Sequence, residues 1–197
     1  MGGEMRRSTR ERNTNETNIR ISLELDGSGK ADINTGVGFF DHMLIALAVH
    51  GHFDLNVKCE GDINIDGHHS VEDVGIVLGQ VFAEAIGDKA GIARYGSITL
   101  PMDEALASCH IDVGGRAYTV IDAPFSADRI GDLDTQLIPE FFRAFANNAQ
   151  VNLHLSVHYG ENDHHIAEAL FKAFAYALRC AIFQDGGTVA PSTKGAL

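Results

Sequence analysis

Residues 18–26 (N-I-R-I-S-L-E-L-D) alternate apolar and polar side chains, the period of a half-buried strand. A G-S-G turn follows, and 30–35 is a candidate partner strand. Residues 38–50 (G-F-F-D-H-M-L-I-A-L-A-V-H) read as a helix and 53–59 (F-D-L-N-V-K-C) as a strand. From 70 to 86 the apolar residues recur at helical spacing, and Gly87 to Gly96 reads as a connector. Strands at 97–102 and 106–113 come next, with Gly114-Gly115 at a turn. A helix at 136–149, a strand at 151–158 and a long helix at 165–183 complete the series.

The order repeats. Each half reads β-β-α-β-α, with Phe-Phe in its first helix. The expected fold class is α+β, an α/β two-layer sandwich of internally duplicated halves with helices packed on one face of a sheet. Residues 13–197 form one duplicated domain, with half-repeats at about 13–92 and 93–185 and a small-residue tail at 186–197. Residues 1–12 are charged and apolar-poor, and are expected to be mobile.

Both halves also carry His-His-x-x-Glu at the start of the second helix: His68, His69, Glu72 and His164, His165, Glu168. Residues four apart share a helix face, so His68 and Glu72 can grip one cation while His69 reaches another. One such pair is more often a helix cap or a polar patch; two copies at matching repeat positions point to metal. Imidazole with carboxylate suits Zn, Fe or Mn. His42, on an otherwise apolar helix, is a further candidate ligand, with Asp41 to orient it. Glu140 stands in the matching helix of the second half. His50 ends the first helix, either as a dipole partner or as a site residue. His110, His154 and His158 read as structural, and His52 as surface. Arg94 and Arg116 lie in glycine-rich turns where a guanidinium fork suits phosphate, and Lys172, Ser192 and Lys194 are placed to add to such a site.

A formal net charge of −12 and the lack of a basic stripe argue against a nucleic-acid partner. No apolar run is long enough for a membrane span. The three scattered cysteines, Cys59, Cys109 and Cys180, read as packing residues of a cytoplasmic protein.

F-F-D-H-M-L, D-G-H-H-S-V-E-D-V-G-I-V-L-G, L-P-M-D-E-A-L-A, G-G-R-A-Y and N-D-H-H-I-A-E-A-L-F-K-A-F-A together closely resemble the imidazoleglycerol-phosphate dehydratase family, from about Arg12 to Leu197. R-N-T-N-E-T near the N-terminus resembles the family's R-x-T-x-E-T. The resemblance implies a lyase of histidine biosynthesis that dehydrates D-erythro-imidazole-glycerol phosphate to imidazole-acetol phosphate through an imidazolate- and diazafulvene-type path. It implies two Mn(II) ions per site and a homo-oligomer of 24 subunits with metals between subunits. The ligands it implies are His42, His68, His69, Glu72, His164, His165 and Glu168, with Glu140 where many members have histidine. Arg94, Arg116, Ser192 and Lys194 match phosphate-binding positions, and Glu16 a substrate-contacting acid. Glu16 is the first candidate for proton transfer and His50 the second. Ile45 and Ala46 depart from the D-H-M-L-D-Q common in the family. Two other classes fit the same residues: a two-metal phosphohydrolase, told apart by release of free phosphate, and a metal-storage assembly, which would turn nothing over.

Overall fold

The structure is a computed structural model that describes residues 5–187, 189, 191 and 192. In chain order it contains β1 (Arg7–Asn13), β2 (Thr17–Glu24), β3 (Ala31–Asn34), α1 (Gly38–Gly51), β4 (Asp54–Gly61) and α2 (His68–Ile86). The second half contains β5 (Tyr95–Met102), β6 (Ala105–Asp112), β7 (Tyr118–Asp122), the short β8 (Arg129–Ile130) and β9 (Leu133–Asp134), α3 (Leu137–Ala149), β10 (Asn152–Tyr159) and α4 (Asp163–Ala181).

Each half builds a four-stranded sheet, ordered β1-β2-β4-β3 in the first and β5-β6-β10-β7 in the second. Alternation sets one face of each sheet inward. β2 buries Thr17, Ile19, Ile21 and Leu23, and β4 buries Leu55, Val57 and Cys59. The two sheets match strand for strand, so the repeat unit is β-β-β-α-β-α. The strand pairs legible in the sequence, β2 with β3 and β5 with β6, are therefore not equivalent pairs.

β1 corrects the expectation of mobility for residues 7–12. Arg7–Asn13 form the edge strand, paired antiparallel with β2 from Arg7↔Glu24 to Asn13↔Asn18. Three of its side chains reach α2. Ser8 Oγ donates to Glu84 Oε2 at 2.7 Å, Arg10 pairs with the same carboxylate, and Arg12 pairs with the buried Asp73.

α2 packs on β1, β2 and β4 but also against α3 of the other half; α4 packs on β5, β6 and β10 and against α1. Each half is thus a two-layer sandwich, and the halves meet through their helices. Gly75 and Gly79 allow α2 and α3 to approach: a Cβ on Gly79 would lie 2.6 Å from the Phe145 carbonyl oxygen. Within the second half Phe141 stacks on Phe171 at 5.4 Å and Phe142 meets the same ring at 4.8 Å, and across the seam Phe40 meets Phe141 at 5.3 Å and Phe82 meets Phe145 at 5.6 Å. Cys59 and Cys109 are buried, but Cys180 is exposed on the last turn of α4 and does not pack as expected.

Candidate metal-binding active site

Both His-His pairs stand at helix N-termini, fixed the same way. Asp66 Oδ1 accepts the His68 amide at 2.8 Å, and Asn162 Oδ1 accepts the His164 amide at 2.9 Å. One turn on, His68 Nε2 lies 3.6 Å from Glu72 Oε2, and His164 Nε2 lies 3.3 Å from Glu168 Oε2. In each pair the two rings are 6.1 Å apart and nearly perpendicular, at 88° and 82°. The first histidine shares a face with the glutamate; the second turns away.

Because α1 packs on α4, His42 joins His164 and Glu168, and the three ligand atoms lie within 4.8 Å of one another. His42 Nε2 is 3.7 Å from Glu168 Oε2. Metal–ligand bonds of about 2.1 Å put neighbouring donors about 3 to 3.5 Å apart, and the 3.3 and 3.7 Å distances to Glu168 are close to that spacing, which makes the triad a candidate site for a divalent ion. The edge of Phe39 supports the His164 ring at 5.1 Å. Asp41 does not orient His42. Its Oδ1 accepts Thr35 N at 2.8 Å and Thr35 Oγ1 at 2.6 Å, because adjacent helical side chains diverge by about 100°. Lys172 Nζ bonds Glu168 Oε1 at 2.6 Å and also reaches Met102 Sδ at 3.3 Å. Burial pushes the Glu168 carboxyl up, but Lys172 and the histidines more than offset this and hold it below its ordinary value.

Apart from Glu16, the second histidines meet carboxylates that the sequence reading did not select. His69 Nδ1 lies 3.0 and 3.1 Å from the two Asp62 oxygens, and Glu16 Oε1 stands 3.6 Å from its Nε2. His165 Nδ1 lies 2.6 Å from Glu104 Oε2, and Asp103 Oδ2 stands 3.6 Å from its Nε2. The bonds to Asp62 and Glu104 raise both imidazoles above their ordinary pKa, and Glu104 is pulled down to about 2, chiefly by His165. The available signal was position: Glu104 immediately precedes β6, as Glu16 precedes β2.

The remaining candidates are not gathered within the chain. Glu140 stands ten residues before the left-handed cap residue Gln150, as His42 stands before His52, yet it pairs with Arg143. His50 contacts Tyr176, with ring centroids 5.7 Å apart, about 12 Å along α1 from His42. Burial, then Lys172, lowers its pKa. The Arg94 fork is engaged by Asp112 at 2.7 and 3.0 Å, and its Nη1 donates to the Pro191 carbonyl at 2.8 Å. Gly114 is where a side chain would strike that pair. Arg116 is exposed two residues on, and Pro191 brings Ser192 to the same end of the molecule. Lys194 lies outside the described residues. Among the described residues, no helix is long and apolar enough to cross a membrane.

Known proteins are similar to this chain in sequence and fold. A family model described as imidazoleglycerol-phosphate dehydratase matches residues 35–178. The enzyme of that name from Methanosarcina barkeri is 55% identical over 193 residues, which is 98% of this chain and 100% of the relative. That from Granulibacter bethesdensis is 53% identical over 98% of this chain and 99% of its own length. Among solved structures, imidazoleglycerol-phosphate dehydratase from Staphylococcus aureus superposes with a TM-score of 0.82 at 40% identity, covering 90% of this chain and 99% of that one. The Pyrococcus furiosus protein in complex with (S)-C348 gives 0.83 at 33% identity, covering 95% and 100%. With the fold and nearly the whole length in common, the chain belongs to the imidazoleglycerol-phosphate dehydratase family, hydro-lyases of histidine biosynthesis.

Proposed function

We propose that the protein dehydrates D-erythro-imidazole-glycerol phosphate to imidazole-acetol phosphate at a two-Mn(II) site assembled between copies of the chain. The observation that carries this reading is the repeated geometry of His68, His69, Glu72 and His164, His165, Glu168, which offers donors in two directions at once. The proton to be lost sits beside a hydroxyl-bearing carbon and is not acidic, so the imidazole ring must carry the electron density. Two Mn(II) ions, when bound, supply the positive charge that favours a deprotonated ring. His42, His68, His69, Glu72, His164, His165 and Glu168 would hold them, a mixed set that suits this metal.

Two features favour assembly between copies. The side chains of His42, His68 and His164 are 48%, 45% and 43% exposed, whereas a ligand site buries most of what it binds. Arg94 N bonds the Ala181 carbonyl at the far end of α4, whose 19 residues run about 27 Å from the His164–His165 end. No small substrate reaches both ends of one chain. Arg94, Arg116, Ser192 and Lys194 would therefore serve the histidines of a neighbouring copy in a homo-oligomer, holding the phosphate and orienting the remote reacting carbons. Lys172 holds Glu168 ionised as a ligand. Glu16, which faces His69 without a hydrogen bond to it, would move the proton.

The test is one incubation of Mn(II)-loaded protein with the substrate, assayed for the enolisable ketone and for free phosphate. Ketone without phosphate release, abolished by chelator and restored by Mn(II), is the expected result. Phosphate without ketone would make the protein a phosphohydrolase, and Mn(II) uptake with neither product would leave a storage role.

A further inference from the structure

We propose that Asp62 and Glu104 are the positioning residues of the two outward histidines, and that Asp62 is what leaves Glu16 free to act on substrate. This deepens the reading of His69 and His165 as metal ligands and of Glu16 as the proton carrier, and rests on it.

A carboxylate only accepts, so each bond to Nδ1 requires that nitrogen to carry the proton. The Nε2 lone pair is then presented outward, and a charged acceptor behind the ring strengthens it as a donor to metal. His69 and His165 are both held this way, by acids at positions that do not correspond. Glu104 immediately precedes β6; its counterpart before β2 is Glu16. Asp62 is the first residue after β4; its counterpart after β10 is Gly160. The second half cannot copy Asp62, because a Cβ on Gly160 would lie 2.6 Å from Ile166 Cγ1 and 3.0 Å from Ala105 Cβ. Glu104 performs the task there instead, and its Oε1 also accepts the amides of Glu161 at 3.2 Å and Asn162 at 2.8 Å, so it is fully engaged.

In the first half Asp62 occupies the Nδ1 side of His69. Glu16 is left on the Nε2 side at 3.6 Å, with its carboxylate outside hydrogen-bonding distance of the ring. The Asp62 amide donates to the Glu16 carbonyl at 3.1 Å, which fixes the two acids relative to each other. Equivalent glutamates thus have different work: Glu104 holds a histidine, and Glu16 does not.

The experiment uses the full-length protein and Mn(II), with Asp62→Asn, Glu104→Gln, and the charge-keeping Asp62→Glu and Glu104→Asp. Free Mn(II) is read by electron paramagnetic resonance, and assembly size and melting report folding. The neutral variants are expected to bind at least one Mn(II) about 10- to 100-fold more weakly, with partial recovery in the charge-keeping pair. Glu16→Gln is expected to cost less kcat in the Asp62→Asn background than in the wild type. Neutral variants that assemble and bind Mn(II) as tightly as wild type would overturn the positioning role while leaving the metal reading standing. Wild-type protein that takes up no Mn(II) would bring down the metal reading, and this inference with it.

Discussion

Lys172 Nζ sits 2.6 Å from Glu168 Oε1, on the opposite oxygen from the one that faces His42 and His164. One carboxylate is therefore held by a permanent cation on one side and open to a divalent one on the other. Both side chains are largely buried, at 18% and 12% exposure, so the pair is screened less than a surface ion pair. Lys172→Met should strand the carboxylate and destabilise metal-free protein by on the order of 2 kcal/mol, read as a lower melting temperature. Added Mn(II) should restore more stability to the variant than to wild type. Equal melting of the two metal-free proteins would show that the pair contributes nothing.

Glu16→Gln should keep Mn(II) content and assembly while turnover falls by about 10²- to 10⁴-fold, the usual worth of a positioned acid–base group. Steady-state rates beside metal analysis decide it. Retained turnover would remove Glu16 from the chemistry.

Arg94→Ala should raise KM with Mn(II) content unchanged, because Arg94 lies a helix length from His164 and His165 of its own chain. Its loss also frees Asp112 and the Pro191 carbonyl, so the tail should become more open to protease. A loss of metal in this variant would contradict the separation of the two sites.

Asp132 ties the halves together by accepting Gly38 N at 2.6 Å and Phe39 N at 2.8 Å, the first amides of α1. Asp132→Ala should cost about 1 kcal/mol, as loss of a helix cap does. Burial pushes this carboxyl up, and the two amides more than offset that, so its folded pKa is depressed. A depressed acid stabilises the fold above its unfolded value and loses that contribution as pH falls through the folded value. The gap between wild type and variant in thermal melts should accordingly be full at neutral pH and close in acid.

Gly79→Ala should destabilise by about 1 to 3 kcal/mol, although alanine favours a helix, because the added methyl meets the Phe145 carbonyl and Asn148 Cβ. Chemical denaturation measures it. A stabilised variant would show that α2 and α3 can move apart freely.

The helices were legible because their apolar residues repeat at helical spacing, and the observed bounds fall within about two residues of those read. β1 was not legible. Its burial follows no period of two, since an edge strand of R-S-T-R-E-R-N is held by its backbone ladder and by arginines reaching α2. β7 was missed for a related reason: five residues at the sheet edge, two of them aspartate and threonine, leave little pattern. At the site, the repeated His-His-x-x-Glu announced itself through spacing. Asp62 and Glu104 did not, because a lone acid in a turn has no periodicity, and only the fold brings it behind an imidazole.

The helix pairings reach across the duplication: α2 lies on α3 and α1 on α4. A chain of half this length would leave Phe141 without Phe40 and Phe145 without Phe82, exposing the helix faces that now meet between the halves. A second copy of itself would be the natural cover. Two half-chains would keep that contact only by associating, so the duplication within one chain replaces a concentration-dependent contact with a permanent one.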